Sequence, residues 1–282
     1  MQILSLLIEG MSMRAISRVT GASINTVTKL LVKAGEACAE YHDRQVRDVE
    51  SRRIQCDEIW SFVYAKQKNV VTAEAAPEDA GDVWTWTAID AESKLIVSYL
   101  VGGRDSGYAM EFMADVKERL ANRVQITTDG HRAYLDAVED AFGDDVDYAM
   151  LVKLYGQSEK DGRYSPSECI GTRMSMVTGM ADPAHISTSY AERQNLTMRM
   201  CMRRFTRLTN GFSKKLENHI HMLSLYFVHY NFCRIHKSLR VTPAMAAGVD
   251  SELRDMNWIL ELIEAREPKP GPRGPYKKKI SK

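Results

Sequence analysis

The segment "RRIQCDEIWSFVYAK" (residues 52–66) has the apolar and aromatic pattern of a buried β-strand, but it carries two adjacent carboxylates, Asp57 and Glu58, at its centre. Neighbouring side chains of a strand point to opposite faces, so the two acids cannot both serve a site on one face. Either the strand interpretation is wrong at this point, or one of the two acids is the first member of a catalytic cluster. The rest of the chain decides between these alternatives.

The runs that follow predict a mixed α/β fold. "VWTWTAIDA" (83–91) and "KLIVSYLVG" (94–102) are strand-like and are separated by a tight turn at Glu92-Ser93. A helix capped at Asp105 or Ser106 leads to a short strand, "VQITTDG" (124–130), and a further helix begins near His131. A meander followed by a right-handed crossover can place the fourth strand beside the first, parallel to it.

The remaining segments are predicted from composition and periodicity. Residues 156–188 are polar and rich in Gly, Pro and Ser, which predicts a long loop. A basic helix is predicted to start near residues 187–190, and a second long helix to cover roughly residues 213–233. Thr242-Pro243 resembles a helix start, with threonine as the cap. The strand tryptophans are predicted to lie in the core rather than to form base-stacking platforms; they are Trp60, Trp84 and Trp86.

The first 45 residues are predicted to be helical and to contain a helix-turn-helix. One helix runs from a capping Ser12 to Gly21, and the next from Ser23 to Gly35. The residues predicted to pack within this unit are Ala15, Ile16, Val19, Ile24, Val27 and Leu31. Those predicted to face the major groove or phosphates are Ser23, Asn25, Thr26, Thr28 and Lys29. A small helical bundle that binds nothing is an equally open alternative.

The distribution of charge favours a polyanionic partner, although the net charge is only +1. Between Tyr190 and Arg240 there are ten Lys and Arg residues and two acidic ones, and from Pro268 onward there are six basic residues and no acidic one. The five cysteines are scattered, which argues against a disulfide framework and a zinc ribbon. No apolar run has membrane-spanning length and no leader is recognisable, so a cytoplasmic location is expected.

Three acids can be assembled into one site. Asp57 lies in the middle of the first strand and Asp129 at the end of the fourth, and two such carboxylates oppose each other's ionisation unless a cation such as Mg²⁺ binds between them. Glu192 opens the basic helix, where Asn195, Arg199 and Arg203 follow at +3, +7 and +11, near the same face. Glu58 points to the opposite face, which favours a structural or supporting role.

These segments resemble a known family. "CDEIW", "TTDGHRAY" and "SYAERQNLTMRMCMRRFTRLTNGFSKKLENH" are similar to the catalytic segments of DDE transposases of the insertion sequence 1 family. "HYNFCRIHKSLRVTPAMAAG" (229–248) is similar to the closing segment of many bacterial transposases and integrases with a ribonuclease H-like core. The resemblance covers roughly residues 12–248. Members commonly carry a Cys-rich zinc-binding segment ahead of the helix-turn-helix, and the opening of this chain near a helix indicates a late start or a partial loss of that module.

The resemblance implies a domain plan and a mechanism. A small all-α helix-turn-helix domain would occupy residues 1–45, a ribonuclease H-like DDE domain (α/β, a mixed sheet flanked by helices) residues 50–248, and a C-terminal helix with a basic Pro-rich tail residues 249–282. Asp57, Asp129 and Glu192 would be the catalytic triad and would hold two Mg²⁺ ions, replaceable by Mn²⁺, with Asp57 bridging both ions.

The same resemblance implies the substrate and the assembly. The substrate would be double-stranded DNA, both the element's ends and the target, in a bacterial cytoplasm in association with the nucleoid. Pairing two DNA ends requires a homodimer or a higher oligomer. Besides the helix-turn-helix residues, the expected DNA-binding side chains are Asn195, Arg199, Arg203, Arg204, Arg207 and Lys214.

Two other functions remain open from the residues. A nuclease of the same fold would cut DNA without joining it. A catalytically inactive or truncated transposase-derived protein would bind DNA and perform no chemistry.

Overall fold

Strand β1 (Arg53–Val63) lies inside a six-stranded mixed sheet with the order β3-β2-β1-β4-β5-β6. This is a computed structural model, and it describes residues 1–156, 168–206 and 210–268. The other strands are β2 (Gly81–Asp90), β3 (Ile96–Gly102), β4 (Val124–Thr128), β5 (Val146–Gly156) and β6 (Glu168–Thr178). The α-helices are α1 (Gln2–Ile8), α2 (Met13–Thr20), α3 (Ile24–Gln45), α4 (Gln67–Val70), α5 (Ser106–Arg119), α6 (Ala133–Phe142), α7 (Ser189–Cys201), α8 (Leu216–Val228), α9 (Pro243–Ala246) and α10 (Met256–Arg266).

The predicted meander and crossover are confirmed. β1 pairs antiparallel with β2, β2 pairs antiparallel with β3, and β4 returns after α5 to pair parallel with β1. The parallel pairing of β1 with β4 extends only from Arg53 opposite Gln125 to Gln55 opposite Thr127. Asp57 and Asp129 therefore lie just beyond the point at which the two strands separate, which leaves room between them.

The prediction of a long loop over residues 156–188 is wrong for its middle part, whereas residues 179–188 contain no strand or α-helix. Residues 168–178 form β6, which pairs antiparallel with β5 at the edge of the sheet. The strand has large exposed side chains at Ile170, Met174 and Met176, so it lacks the alternation of buried and polar residues that marks a strand in the sequence. Residues 157–167 of the predicted loop lie outside the described residues.

Helices cover both faces of the sheet. Trp86 is fully buried on one face, where its ring contacts Phe112 of α5 and Tyr134 of α6. The opposite face carries Asp57 and Ser61, which contact α7 and α8 respectively. Trp86 is thus a core residue as predicted, whereas Trp60 and Trp84 are only half-buried, and their prediction as core residues is wrong in that respect.

The N-terminal helices have the predicted caps but not the predicted extent. The hydroxyls of Ser12 and Ser23 accept hydrogen bonds from the N–H groups of Ala15 and Thr26, both at 3.2 Å. The second helix does not end at Gly35, because α3 continues to Gln45. Its glycine is needed for packing instead: a Cβ at position 35 would lie 2.5 Å from the Cα atom of His221 on α8.

A separate all-α N-terminal domain is not confirmed. Apolar side chains of α1, α2 and α3 belong to the same continuous core as those of the sheet. The predicted packing of Val19 and Ile24 is wrong, since 59% and 42% of these side chains are exposed, and α3 packs mainly against α8 instead. At the C-terminus, α10 is held to α3 by Arg266, which binds Glu36 and Glu40 at 2.8 Å each. The basic tail from residue 269 lies outside the described residues.

Replacement of Gly35 by alanine is expected to lower the free energy of unfolding by about 1–3 kcal/mol, because the added methyl group forces α3 away from the backbone of α8. In an unconstrained helix the same change would stabilise by about 1 kcal/mol. Urea unfolding monitored by circular dichroism measures the difference. Gly171→Ala is the control, since a Cβ there meets only Leu154 at 3.9 Å. A stabilised Gly35→Ala variant would contradict the tight contact between the helices.

None of the helices among residues 1–156, 168–206 and 210–268 combines the length and the apolar character needed to cross a bilayer.

Candidate functional site

Three carboxylates converge where β1 and β4 separate. One oxygen from each of Asp57, Glu58 and Asp129 lies within 4.8 Å of the others. Asp57 and Glu58 do leave β1 on opposite sides, but Asp129 follows the end of β4 and lies between them. The carboxylate of Glu58 thus lies next to both other acids, and its structural or supporting role stays a prediction.

The cluster is electrostatically unfavourable without a cation. Burial and the neighbouring charge of Asp129 raise the pKa of Asp57 to about 7. Burial and Asp129 also raise the pKa of Glu58 to about 7, although Arg104 opposes the shift. The folded protein therefore holds protons on these groups at a pH where free carboxyl groups are ionised, unless another positive charge replaces the protons.

Helix α7 is anchored to β1 beside this cluster. The side-chain oxygen of Gln55 accepts hydrogen bonds from the N–H groups of Tyr190 (2.7 Å) and Ala191 (3.3 Å) in the first turn of the helix. One turn further, Asn195 donates from Nδ2 to Asp57 Oδ2 at 2.9 Å. Because the amide fixes one oxygen of Asp57 and the N–H group of Glu58 donates to the other at 2.9 Å, the carboxylate has a single defined orientation.

Glu192 lines the same cleft but is engaged by other groups. Its Oε1 accepts a hydrogen bond from Thr188 Oγ1 at 2.7 Å, and its Oε2 forms an ion pair with Lys153 of β5. Although burial opposes a charge on Lys153, Glu192 raises the pKa of that amine. The structure thus brings the third predicted acid into the cleft, which has a volume of about 790 Å³, but outside the cluster formed by Asp57, Glu58 and Asp129.

Arg104 is a cleft residue that the sequence analysis missed. It precedes α5, and its Nη2 atom lies 3.3 Å from Glu58 Oε2 and 3.8 Å from Asp129 Oδ2. Its guanidinium stacks on Trp84, with Cζ 4.6 Å from the centroid of the indole. Arg104 therefore supplies positive charge to the cluster from within the protein. The segment "GGRDSG" has the pattern of a helix cap, and nothing in it indicates a contact with distant acids.

The donor set fits a hard divalent cation. Mg²⁺ and Mn²⁺ prefer carboxylate and carbonyl oxygens, and the cluster offers three carboxylates next to the Asn195 amide. One buried oxygen, Asn195 Oδ1, has no hydrogen-bond partner among the described residues, whereas Glu58 lies beside the hydroxyl of Tyr134. Buried polar atoms of this kind are costly unless a ligand satisfies them, so the cluster could hold a metal ion.

The predicted DNA-binding residues are divided between two places. Arg199 and Asn195 line the acidic cleft. Arg203 does not share their helix face as predicted, because α7 ends at Cys201, where the buried Met202 and Phe205 turn the chain into the core. Arg203, Arg204 and Lys214 line a second pocket instead. Arg204 donates from Nη1 to Ser213 Oγ (3.1 Å) and to the carbonyl of Asn218 (3.0 Å).

The helix-turn-helix candidates lie on the surface of α3. Asn25, Thr26 and Lys29 are exposed, and Thr28 is half-buried with its hydroxyl donating to the carbonyl of Ile24 at 2.9 Å. Arg207 lies outside the described residues. These positions leave the side chains available to a partner, and their binding to DNA stays a prediction.

Replacement of Arg104 by methionine is expected to tighten Mn²⁺ binding to the DNA-free protein by about 3- to 10-fold, because one competing charge is removed a few ångströms from the ligands. Isothermal titration calorimetry measures the affinity. Arg132→Met is the matched control, since Arg132 lines the same cleft and is exposed. An equal gain in Mn²⁺ affinity in both variants would indicate a general effect of the charge in the cleft. Weaker Mn²⁺ binding by Arg104→Met would contradict competition between Arg104 and the metal for the carboxylates.

No protein-family model matches the sequence, and no curated protein is significantly similar to it. The chemistry of the cleft therefore has to be inferred from its own geometry.

Proposed function

We propose that this protein is a transposase that catalyses Mg²⁺-dependent cleavage and strand transfer of the DNA ends of an insertion sequence. The observation that carries the proposal is the convergence of Asp57, Asp129, Asn195 and Glu192 on one open cleft, from segments far apart in the chain. These are the residues to which the resemblance to DDE transposases of the insertion sequence 1 family assigns the catalytic site. The mixed sheet flanked by helices is compatible with the ribonuclease H-like core of that family.

Mg²⁺ would be held by Asp57, Asp129 and Glu192, with Glu58 as a neighbouring acid. When bound, the metal supplies charge stabilisation at the scissile phosphate and lowers the pKa of the attacking water or 3′-hydroxyl. The protein itself supplies orientation. Asn195 fixes Asp57, Thr188 and Lys153 hold Glu192, and Arg199 adds positive charge to a cleft that must accept a polyanionic backbone.

The partners follow from the reaction. Double-stranded DNA would be bound both as element ends and as target, and two ends cut together require a homodimer or a higher oligomer. The exposed side chains of α3 are the candidates for recognition of the ends, and the bacterial cytoplasm is the compartment in which such DNA is found.

The test is an assay of the full chain on labelled DNA that carries the ends of the encoding element, with Mg²⁺ or Mn²⁺. The expected result is metal-dependent nicking at the ends, followed by joining of a pre-cut end to target DNA. Cleavage without joining would identify a nuclease of the same fold and would overturn the transposase proposal. Binding to the ends without any chemistry would identify a transposase-derived DNA-binding protein.

A further inference from the structure

A surface of half-buried aromatic side chains extends away from the acidic cleft along β1 and β2. Trp60, Phe62 and Trp84 lie on the face of the sheet that carries Glu58 and Trp86. Trp86 is fully buried beneath α5 and α6, whereas Trp60, Phe62 and Trp84 are only half-buried. Helices α5 and α6 therefore cover the Trp86 end of this face and leave its far end partly open to solvent.

These aromatic side chains are neighbours in the fold. Trp60 lies directly opposite Trp84 in the antiparallel register, and its ring centroid is 5.8 Å from that of Phe62. Phe62 is in turn 4.9 Å from Phe212, which precedes α8. We refer to Trp60, Phe62, Trp84 and Phe212 as the aromatic surface. Its rings are tilted against one another rather than stacked face to face. All four side chains are half-buried, so part of each is accessible to a ligand.

Cationic side chains lie over the aromatic surface. Arg104 stacks on Trp84 at 4.6 Å, and the Lys66 amine is 5.7 Å from the centroid of Trp60. The Lys214 amine is 3.8 Å from the centroid of Phe212. Arg104 also contacts the acidic cluster, so the aromatic surface begins at the cleft itself.

Two acids in this part of the fold already have structural roles. Asp82, opposite Phe62 in the sheet, accepts a hydrogen bond from the N–H group of Gln67 at 3.0 Å. Asp79 accepts one from the N–H group of Leu216, at the start of α8, at 2.8 Å. Among the described residues neither Lys66 nor Lys214 forms an ion pair, and their contact with the rings is the weak attraction between a cation and an aromatic face, which a phosphate can replace.

We propose that the aromatic surface binds unpaired nucleotides, with a base stacked on Trp60 and phosphates bound by Lys66 and Lys214. Flat aromatic side chains with interspersed cations are the combination by which proteins hold single strands without reading their sequence, because every base has an aromatic face. A duplex does not suit this surface, since its bases are already stacked on each other. Binding at the surface requires no cleavage, so it is a site in addition to the proposed reaction.

The test is binding of a labelled oligothymidylate to the full chain in EDTA, measured by fluorescence anisotropy beside a duplex of equal length. Trp60→Ala is expected to weaken single-strand binding by about tenfold, and duplex binding by less than about twofold. Trp60→Phe should retain most of the affinity because it keeps an aromatic face. Lys66→Ala should reduce the salt dependence of single-strand binding by about one counterion, whereas Trp60→Ala should leave that dependence unchanged.

The control is Met180→Ala, which removes an 89% exposed apolar side chain from the segment after β6 and should change neither affinity. The proposal would be overturned if Trp60→Ala lost affinity equally for the single strand and the duplex and Trp60→Phe restored neither. It would also be overturned if Trp60→Ala bound the single strand as tightly as the wild type. The latter result would leave a protein partner as the occupant of this surface. Because the assay contains no metal, it gives its answer whether or not the chain cleaves DNA.

Discussion

Asp57→Asn is expected to reduce metal-dependent strand cleavage by about 10³-fold or more, while binding of the DNA ends persists. The structure orients both oxygens of Asp57, through Asn195 on one and the N–H group of Glu58 on the other. The substitution keeps the size of the side chain and removes its charge, so the loss would reflect metal binding rather than misfolding. Single-turnover cleavage with saturating protein measures the change in the chemical step.

Two comparisons make this result interpretable. Asp144→Asn removes an exposed carboxylate outside the cleft and should leave the rate within about twofold. Glu192→Gln should also abolish cleavage if the ion pair between Glu192 and Lys153 breaks and Glu192 binds the metal together with Asp57 and Asp129. If Glu58→Gln proves as damaging as Asp57→Asn while Glu192→Gln retains activity, the chemistry belongs to the cluster of Asp57, Glu58 and Asp129, and the role assigned to Glu192 is wrong.

The same Asp57→Asn substitution is expected to stabilise the metal-free protein by about 2–4 kcal/mol at pH 8. The folded state raises the pKa of Asp57 from 3.8 to about 7, whereas the unfolded chain ionises this group near its ordinary value. Between about pH 4 and pH 7 the folded state binds more protons than the unfolded state, so stability falls as the pH rises through this window. The uncharged amide that replaces the carboxylate would carry no such penalty.

Chemical unfolding in EDTA at a series of pH values measures this effect. The increase in the free energy of unfolding of Asp57→Asn over the wild type should be largest above pH 7 and decline as the pH falls. It should vanish near pH 4, where Asp57 is protonated in both the folded and the unfolded state. Saturating Mg²⁺ should stabilise the wild type and reduce the difference, because the metal offsets the charge that the substitution removes. A gain in the free energy of unfolding that is independent of pH would mean that Asp57 is not destabilised by its neighbours.

The sequence predicted the strands that are rich in β-branched and aromatic residues. β1, β2 and β3 have β-branched and aromatic residues in regular patterns, and the caps at Ser12, Ser23 and Thr242 are local signals that a sequence displays directly. The parallel addition of β4 beside β1 followed from connection rules, and it brought Asp129 next to Asp57 as expected. Local patterns and chain topology were therefore sufficient for the centre of the sheet.

The remaining features depend on contacts that no local pattern encodes. Gly35 has the appearance of a helix end because glycine commonly terminates helices, but here it permits the close approach of His221, 186 positions later in the numbering. Glu58 was assigned to the far face by strand periodicity, which is correct for its Cα–Cβ direction but ignores where Asp129 lies. Arg104 entered the site through tertiary structure alone, from a loop whose sequence indicates only a cap.

The hydrogen bonds from the first turn of α7 to Gln55 also impose an order on the assembly of the protein during synthesis. Gln55 lies in the first strand, but its partner at Tyr190 is 135 residues further along the chain. A ribosome releases the sheet's central strands well before it releases this helix, and contacts of such large sequence separation form late. A nascent chain that ends before α7 lacks Glu192, Asn195 and Arg199, so it cannot carry the complete cleft. Any activity of the cleft is in this way restricted to polypeptides whose synthesis has passed α7.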